Sequence, residues 1–431
     1  MNQHDNSSPN TSNDNSSSWE GYAFEDNWPL YWKKYSFNSN NRVIASTLSA
    51  TAMLLKNGSV IAWGNTRFGG YVPPEIAQLR DIVSLSSTTY AFTALRADRS
   101  VVIWGDIDPV SPEITRLKDI VSLSSTPFYF IALREDRSIV AWSSIIIPPE
   151  IAQLKDIVSL SSTTFSFAAL RANRSVVAWG DLSSGGNLPS EIAQLQDIVS
   201  LRSIGGGFAA LRADRSMVAW TSGIIASPEI TQLKDIVSLS VASYAFAVLR
   251  ADRSVVALGS IIPPEIAKLN DIVSLSTTNQ AFAALRANRS VVAWGLPDHN
   301  VCIPPDIAQL QDIVSLSTTA DAFTALRANR SIVCWEDSGK DNRVQIPYEI
   351  SQLKDIISLS STEGAFAALR ANGSVVAWGH GQHGGYVPPE IAKLKDIVSL
   401  NSTATAFSAL RVDGRRVGWG GGDLLEHGEY N

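Results

Sequence analysis

The segment Asp81–Gly105, DIVSLSSTTYAFTALRADRSVVIWG, recurs along this chain with few changes, and that recurrence limits the fold more than any other feature. The pattern starts again at Asp119, Asp156, Asp197, Asp235, Asp271, Asp312, Asp355 and Asp396. A degenerate first copy runs from Val43 to Gly64, with Ala-Met-Leu-Leu-Lys-Asn-Gly in its middle, which makes ten units. Each unit closes on Trp63, Trp104, Trp142, Trp179, Trp220, Trp294, Trp335, Trp378 or Trp419, with Leu258 in the sixth place. Successive markers lie 36 to 43 residues apart. A second shared element, of the form P-P-E-I-A-Q-L, joins the units, as at Pro73–Leu79 and Pro388–Leu394.

Three short strands fit each unit: Ile82–Ser86, Ala91–Arg96 and Ser100–Trp104, parted by Ser, Thr, Asp, Asn and Gly. They are too short for helices and rich in Val, Ile, Phe, Trp and Ala. Simple alternation puts Ile82 and Ser84 on one side and Val83 and Leu85 on the other. Val101 and Ile103 likewise oppose Val102 and Trp104. Apolar residues therefore occupy both faces, unlike a sheet with one wet face. Such sheets need a neighbour on each side. The expected fold is all-β, a β-propeller of about ten three- to four-stranded units, or an open spiral of the same units. The joining element, with Pro first and Glu in its first turn, reads as one short helical turn.

The unit A-L-R-x-[DN]-[GR]-S-V-V-A-W-G resembles the repeat of the regulator of chromosome condensation family. It is closer still to the shorter repeats of bacterial propellers in that superfamily, such as its β-lactamase inhibitory protein. Two copies keep a longer tail, Trp63–Gly70 (WGNTRFGG) and Trp378–Gly385 (WGHGQHGG), similar to the family's W-G-x-N-x-x-G-Q run. The resemblance covers residues 43–420. It implies a propeller and, through the family's namesake, an exchange factor for a small GTPase. The chain departs from the family in its unit count and in Ser-Ser-Thr-Thr between the first two strands. It also departs at the second turn, where seven central copies read Asp/Asn-Arg-Ser, as at Asp98-Arg99-Ser100. Arg fits poorly at a turn position with positive φ, where Gly is free, so these turns are expected to be longer or differently shaped.

Outside the repeats, residues 1–18 read as a disordered polar tail and residues 421–431 as a C-terminal tail. Residues 19–42 read as an aromatic cap over the first unit, carrying Trp19, Tyr22, Phe24, Trp28, Tyr31, Trp32, Tyr35 and Phe37. The tail has no apolar core of a signal peptide, so the expected location is the cytoplasm, with export only by a route that needs no cleaved signal. That combination would suit a bacterial effector. No apolar stretch reaches membrane-spanning length. A net charge of −6 argues against a mainly electrostatic nucleic-acid binder.

Chemistry is sparse. No phosphate-cradling loop or nucleophile elbow is present, and His380 and His383 have no third ligand beside them. Cys334 stands where other copies have Ala and reads as core, and Cys302 has no partner signature. The carboxylates repeat once per unit, which suits structure rather than a single catalytic pair. The expectation is a monomer without cofactor, metal or catalysis that binds another protein.

Variation between copies locates that role. The tip of the first hairpin changes most, carrying Tyr90, Phe128 with Tyr129, Phe165, Tyr244, Gln280 and Asp321. Equivalent loops of stacked repeats share one face, so these residues are the candidate partner-binding site. The alternative places the rings on neighbouring units as core. Two arginine series, at Arg96 and Arg99 and their equivalents, read either as a basic rim or as a ladder of ion pairs with Asp81 and its equivalents, or with Glu75 and its equivalents; the ladder is the favoured reading. A carbohydrate-binding propeller would need one similar aromatic site per unit, and these tips vary.

Overall fold

The computed structural model describes residues 43–107, 112–142, 145–204, 206–221, 232–243, 245–296, 301–337, 345–421 and 428–430. The expected leader and cap, residues 1–42, lie outside them. Ten antiparallel sheets follow one another, nine of three strands and a last one of four. In module 2 the strands are Ile82–Ser87, Ala91–Arg96 and Val101–Gly105. The fourth strand of module 10, Gly428–Tyr430, pairs with Arg416–Gly420. At the joints where it lies among the described residues, the joining element forms a four-residue helix, Pro74–Ala77 in the first case, with Pro at its start and Ile76 buried.

Both faces of each sheet are covered, because each module packs on the next. In the middle strand Phe92 stands opposite Trp104 and stacks on it at 5.2 Å, and the pair recurs in most modules. One apolar cluster fills each joint between successive modules. An open row of ten sheets would stop there. A further cluster joins Ile44, Met53, Leu55 and Trp63 of module 1 to Ala406 of module 10. Trp63 Nε1 donates to the Gly420 carbonyl at 2.8 Å. This is the bond that Trp104 makes to Gly69, Trp220 to Gly185 and Trp419 to Gly384 inside the row. The closing joint thus has the chemistry of the internal ones. The chain is a closed β-propeller of ten modules.

The first strands of successive modules approach one another and line the axis. Their serines are stitches between modules. Ser87 donates to the Ser46 carbonyl at 2.8 Å, Ser125 to Ser87 at 2.8 Å and Ser162 to Ser125 at 3.0 Å.

Two expectations are corrected. The first strand does not alternate simply, because a β-bulge shifts the register between Ile82 and Ser84 in module 2 and at the same place in eight others. Ile82 then opposes Arg96 while Leu85 opposes Ala94, so Ile82 and Leu85 share a face and one core cluster. Val83 is the extra residue and stays 43% exposed.

The second turn is the other correction. The arginine copies keep the shape of the glycine copies. Arg99, Arg137, Arg174, Arg215, Arg253, Arg289 and Arg330 all take φ of 62–64°, beside 77° at Gly58 and 75° at Gly373. The reason is the carbonyl. Arg99 O accepts from Ile120 N of the next module at 3.1 Å, as Gly58 O does from Ile82 N at 2.9 Å. Only the left-handed conformation aims it there, and a side chain held so costs about 1 kcal/mol. Asp98 braces the turn by accepting from the Ser100 amide and hydroxyl. Those two bonds pull the Asp98 carboxyl down to about 2.

Candidate functional site

Antiparallel pairing places the first-hairpin tips on one face of the ring and the left-handed turns on the other. Gly105 pairs with Ala91, so the linker after each module also starts on the tip face. The tips are held twice over. A buried threonine accepts from the two amides after it: Thr88 from Tyr90 at 3.2 Å and Ala91 at 3.0 Å, Thr126 from Phe128 at 3.1 Å and Tyr129 at 2.9 Å. Backbone bonds then run from tip to tip. Leu48 N donates to Thr89 O, Thr89 N to Pro127 O, Ser243 N to Asn279 O, Asn279 N to Ala320 O, Ala320 N to Glu363 O and Glu363 N to Ala404 O, all at 2.7–2.9 Å. The residue after each rung is the variable one, so it stands on a fixed backbone.

On modules 2 to 4 this places aromatic rings in a row. Phe128 and Phe165 stack at 5.2 Å with planes 7° apart. Tyr90 lies 6.1 Å from Phe128. Phe68 extends the row, 5.8 Å from Tyr90. Tyr90 remains 37% exposed and Phe165 43%. The rings therefore pack on neighbouring modules and face outward at once. Phe68 escaped the sequence reading because it sits in the linker helix Thr66–Phe68, not in a tip. The signal was there, since a linker that starts on the tip face can return a side chain to it. Arg67 caps this end, with its guanidinium 5.8 Å from the Phe68 ring and paired with Asp106 at 2.8 Å.

The other predicted residues fall differently. Tyr129 takes the position of buried Ala91 and packs half-buried against the core between modules 3 and 4. Gln280 is half-buried on module 7 and Asp321 exposed on module 8, away from the row. Tyr244 lies outside the described residues.

The opposite arc carries polar chemistry. The Asp337 carboxylate is buried and accepts from the Thr278 hydroxyl at 2.8 Å. Burial, then the nearby Asp321 and Glu336 charges, push it up to about 7. A cavity of about 410 Å³ opens on the first strands of modules 7 to 10, lined by Ser315, Ser317, Ser358, Ser360, Ser361, Leu316 and Ile357 among others. Burial raises the Cys334 thiol to about 11, as a core residue requires. Among the described residues no three His, Cys, Asp or Glu side chains gather as metal ligands. No helix among them is long and apolar enough to cross a membrane.

No family model matches this chain, and no curated protein matches it. Several solved structures do. The CRINKLY WD40 ectodomain of the Arabidopsis thaliana receptor kinase ACR4 is 15% identical over 61% of this chain and 98% of that chain, with a TM-score of 0.36. The computationally designed Ika8 protein is 13% identical over 79% and 96%, with a TM-score of 0.35. Prp20p from Saccharomyces cerevisiae, or yeast RCC1, described with its binding to Gsp1p and histones, is 16% identical over 82% and 84%, with a TM-score of 0.32. The ring described above is read from this chain's own ten sheets and ten joints.

Proposed function

We propose that this chain is a non-enzymatic, protein-binding propeller that engages its partner through the tip face of modules 2 to 4. The carrying observation is the row Phe68, Tyr90, Phe128 and Phe165, each ring in contact with the next and Phe128 stacked on Phe165, yet partly exposed on a backbone that hydrogen bonds hold in place. Large rings on a rigid frame bury much area with little loss of conformational entropy, which is how interface anchors work. An inhibitor, a scaffold or a secreted effector would all use such a face. The exchange-factor alternative rests on the repeat's resemblance alone; unaltered nucleotide release from a small GTPase would remove it.

The test is quantitative affinity capture from cell lysate with the intact chain and with Y90A/F128A/F165A. The variant is expected to lose the specific interactors of the parent while its melting temperature changes little. If stability collapses and the same interactors remain, the rings are core and the proposal fails.

A further inference from the structure

The two arginine series part company in the structure. The Arg96 series forms the ladder: nine arginines each pair with the aspartate fifteen residues earlier, as Arg96 with Asp81 at 2.8 Å and Arg370 with Asp355 at 2.9 Å. The left-handed series does not. Arg99 reaches Glu135 of the next module, but Arg137, Arg174, Arg253, Arg289 and Arg330 are exposed and make no ion pair with any described residue. The fold needs the left-handed carbonyl at these turns and not the guanidinium, since glycine serves at modules 1, 9 and 10. Keeping arginine there is a strained choice, and strain held at an exposed charged position points to a ligand.

A second observation lies on the same face. The residue after each isoleucine that bonds such a carbonyl is the bulged aliphatic of the next module. Arg289 O accepts from Ile313 N and Arg330 O from Ile356 N. Val314 and Ile357 follow, 50% and 48% exposed. Ile357 also lines the serine-walled cavity of about 410 Å³. Asparagine precedes the arginine at Asn173, Asn288 and Asn329, where modules 2, 3, 5 and 6 have aspartate, and only in modules 7 and 8 do two such turns stand side by side.

We infer that the turn face of modules 7 to 9 is a second docking surface, for an acidic polypeptide segment that also carries apolar side chains. Its carboxylates meet Arg289 and Arg330, its apolar side chains cover Val314 and Ile357, and Ser315 and Ser358, at the turn end of the cavity, offer hydroxyls to its backbone. A nucleic acid fits less well, since its evenly spaced phosphates would have no use for the aliphatic half of the surface. This surface is on the face opposite the aromatic row and does not depend on it.

The test uses the full chain and a fluorescein-labelled poly(Glu,Tyr) copolymer, with poly-Glu and oligo(dT) beside it, read by anisotropy at low and high salt. The copolymer is expected to bind in a salt-sensitive manner, and poly-Glu at least about tenfold more weakly. R289G/R330G is expected to weaken copolymer binding by about tenfold and to raise the melting temperature, because glycine is free at a left-handed position. V314S/I357S is expected to remove the preference for the copolymer over poly-Glu. The Y90A/F128A/F165A variant should bind the copolymer as the parent does, which separates failure here from failure of the tip-face reading. A melting temperature that falls in R289G/R330G with binding unchanged makes the arginines structural and overturns the proposal. Oligo(dT) binding as tight as the copolymer's overturns it in favour of nucleic acid.

Discussion

In module 2, Phe92 is fully buried and stacks on Trp104 at 5.2 Å; in module 9, Phe366 is fully buried and stacks on Trp378 at 5.4 Å. At the tips the likeness ends. Module 2 offers Tyr90 in a row of rings, whereas module 9 offers Glu363 and Gly364. The first strands differ too. Ser86 and Ser87 are 3% and 1% exposed in module 2, while Asn401 and Ser402 of module 10 are open to solvent. Packing tolerates little change in the interior, so the copies diverge most where a neighbour is not pressing on them. The ring is a uniform frame with two unlike arcs, one aromatic and one polar.

The sharpest way to break that comparison is to attack the shared interior. F92A and F366A should each destabilise by about 3–5 kcal/mol, and by the same amount within error, because both empty the same ring-sized space. Chemical denaturation followed by tryptophan fluorescence measures it. Clearly unequal losses would mean that the frame is not uniform. The next largest effect belongs to Asp337 of the polar arc. Its folded value of about 7 lies above the ordinary carboxylate range, so the folded chain binds more protons than the unfolded chain between about pH 4 and 7. Stability should fall as pH rises through that window and then level. D337N should match the parent near pH 4 and exceed it at pH 8, by at most about 4 kcal/mol. A difference that does not grow with pH would put the carboxyl in water instead.

How much of this the sequence disclosed follows the same division. The strand positions, the doubly covered sheets and the short joining helix are local consequences of residue type and were legible. The Asp81–Arg96 ladder was legible as well, since charge complementarity within a unit repeats with it. Closure was not, because an open spiral and a ring have the same repeat and differ only in a small rotation summed over ten joints. The bulge at Val83 hid behind a pattern that alternates perfectly well without it. The arginine turns misled because the side chain's preference was weighed without the carbonyl that the next module requires. Phe68 and Asp337 were missed for one reason: both stand in linkers of varying length, where comparing copies by position breaks down.

Smaller effects probe the aromatic arc alone. Y90A/F128A/F165A should lower stability by only about 1–3 kcal/mol, the scale of ring contacts that remain partly wet, while Q280A/D321A should leave capture unchanged. Thermal melts and the capture assay decide. If both variants lose the same interactors, the partner spans the whole face and the two arcs act as one site. The smallest expected effect lies at Pro127, in the middle of the row. The tips of modules 1, 2 and 6 to 9 pass an amide bond to the next tip, but proline has no N–H, so Pro127 accepts from Thr89 and donates nothing towards module 4. P127A supplies the missing donor beside the stacked Phe128 and Phe165. The gain of one bond, about 0.5–1.5 kcal/mol, is set against a comparable loss of proline's rigidity, so the net change in stability should be near zero. Hydrogen exchange distinguishes the two contributions: the new amide at position 127 should be protected to the same degree as that of Thr89. Rapid exchange there would show that modules 3 and 4 are held at the tip by their rings alone, and that the aromatic arc is softer than the arc of modules 6 to 10.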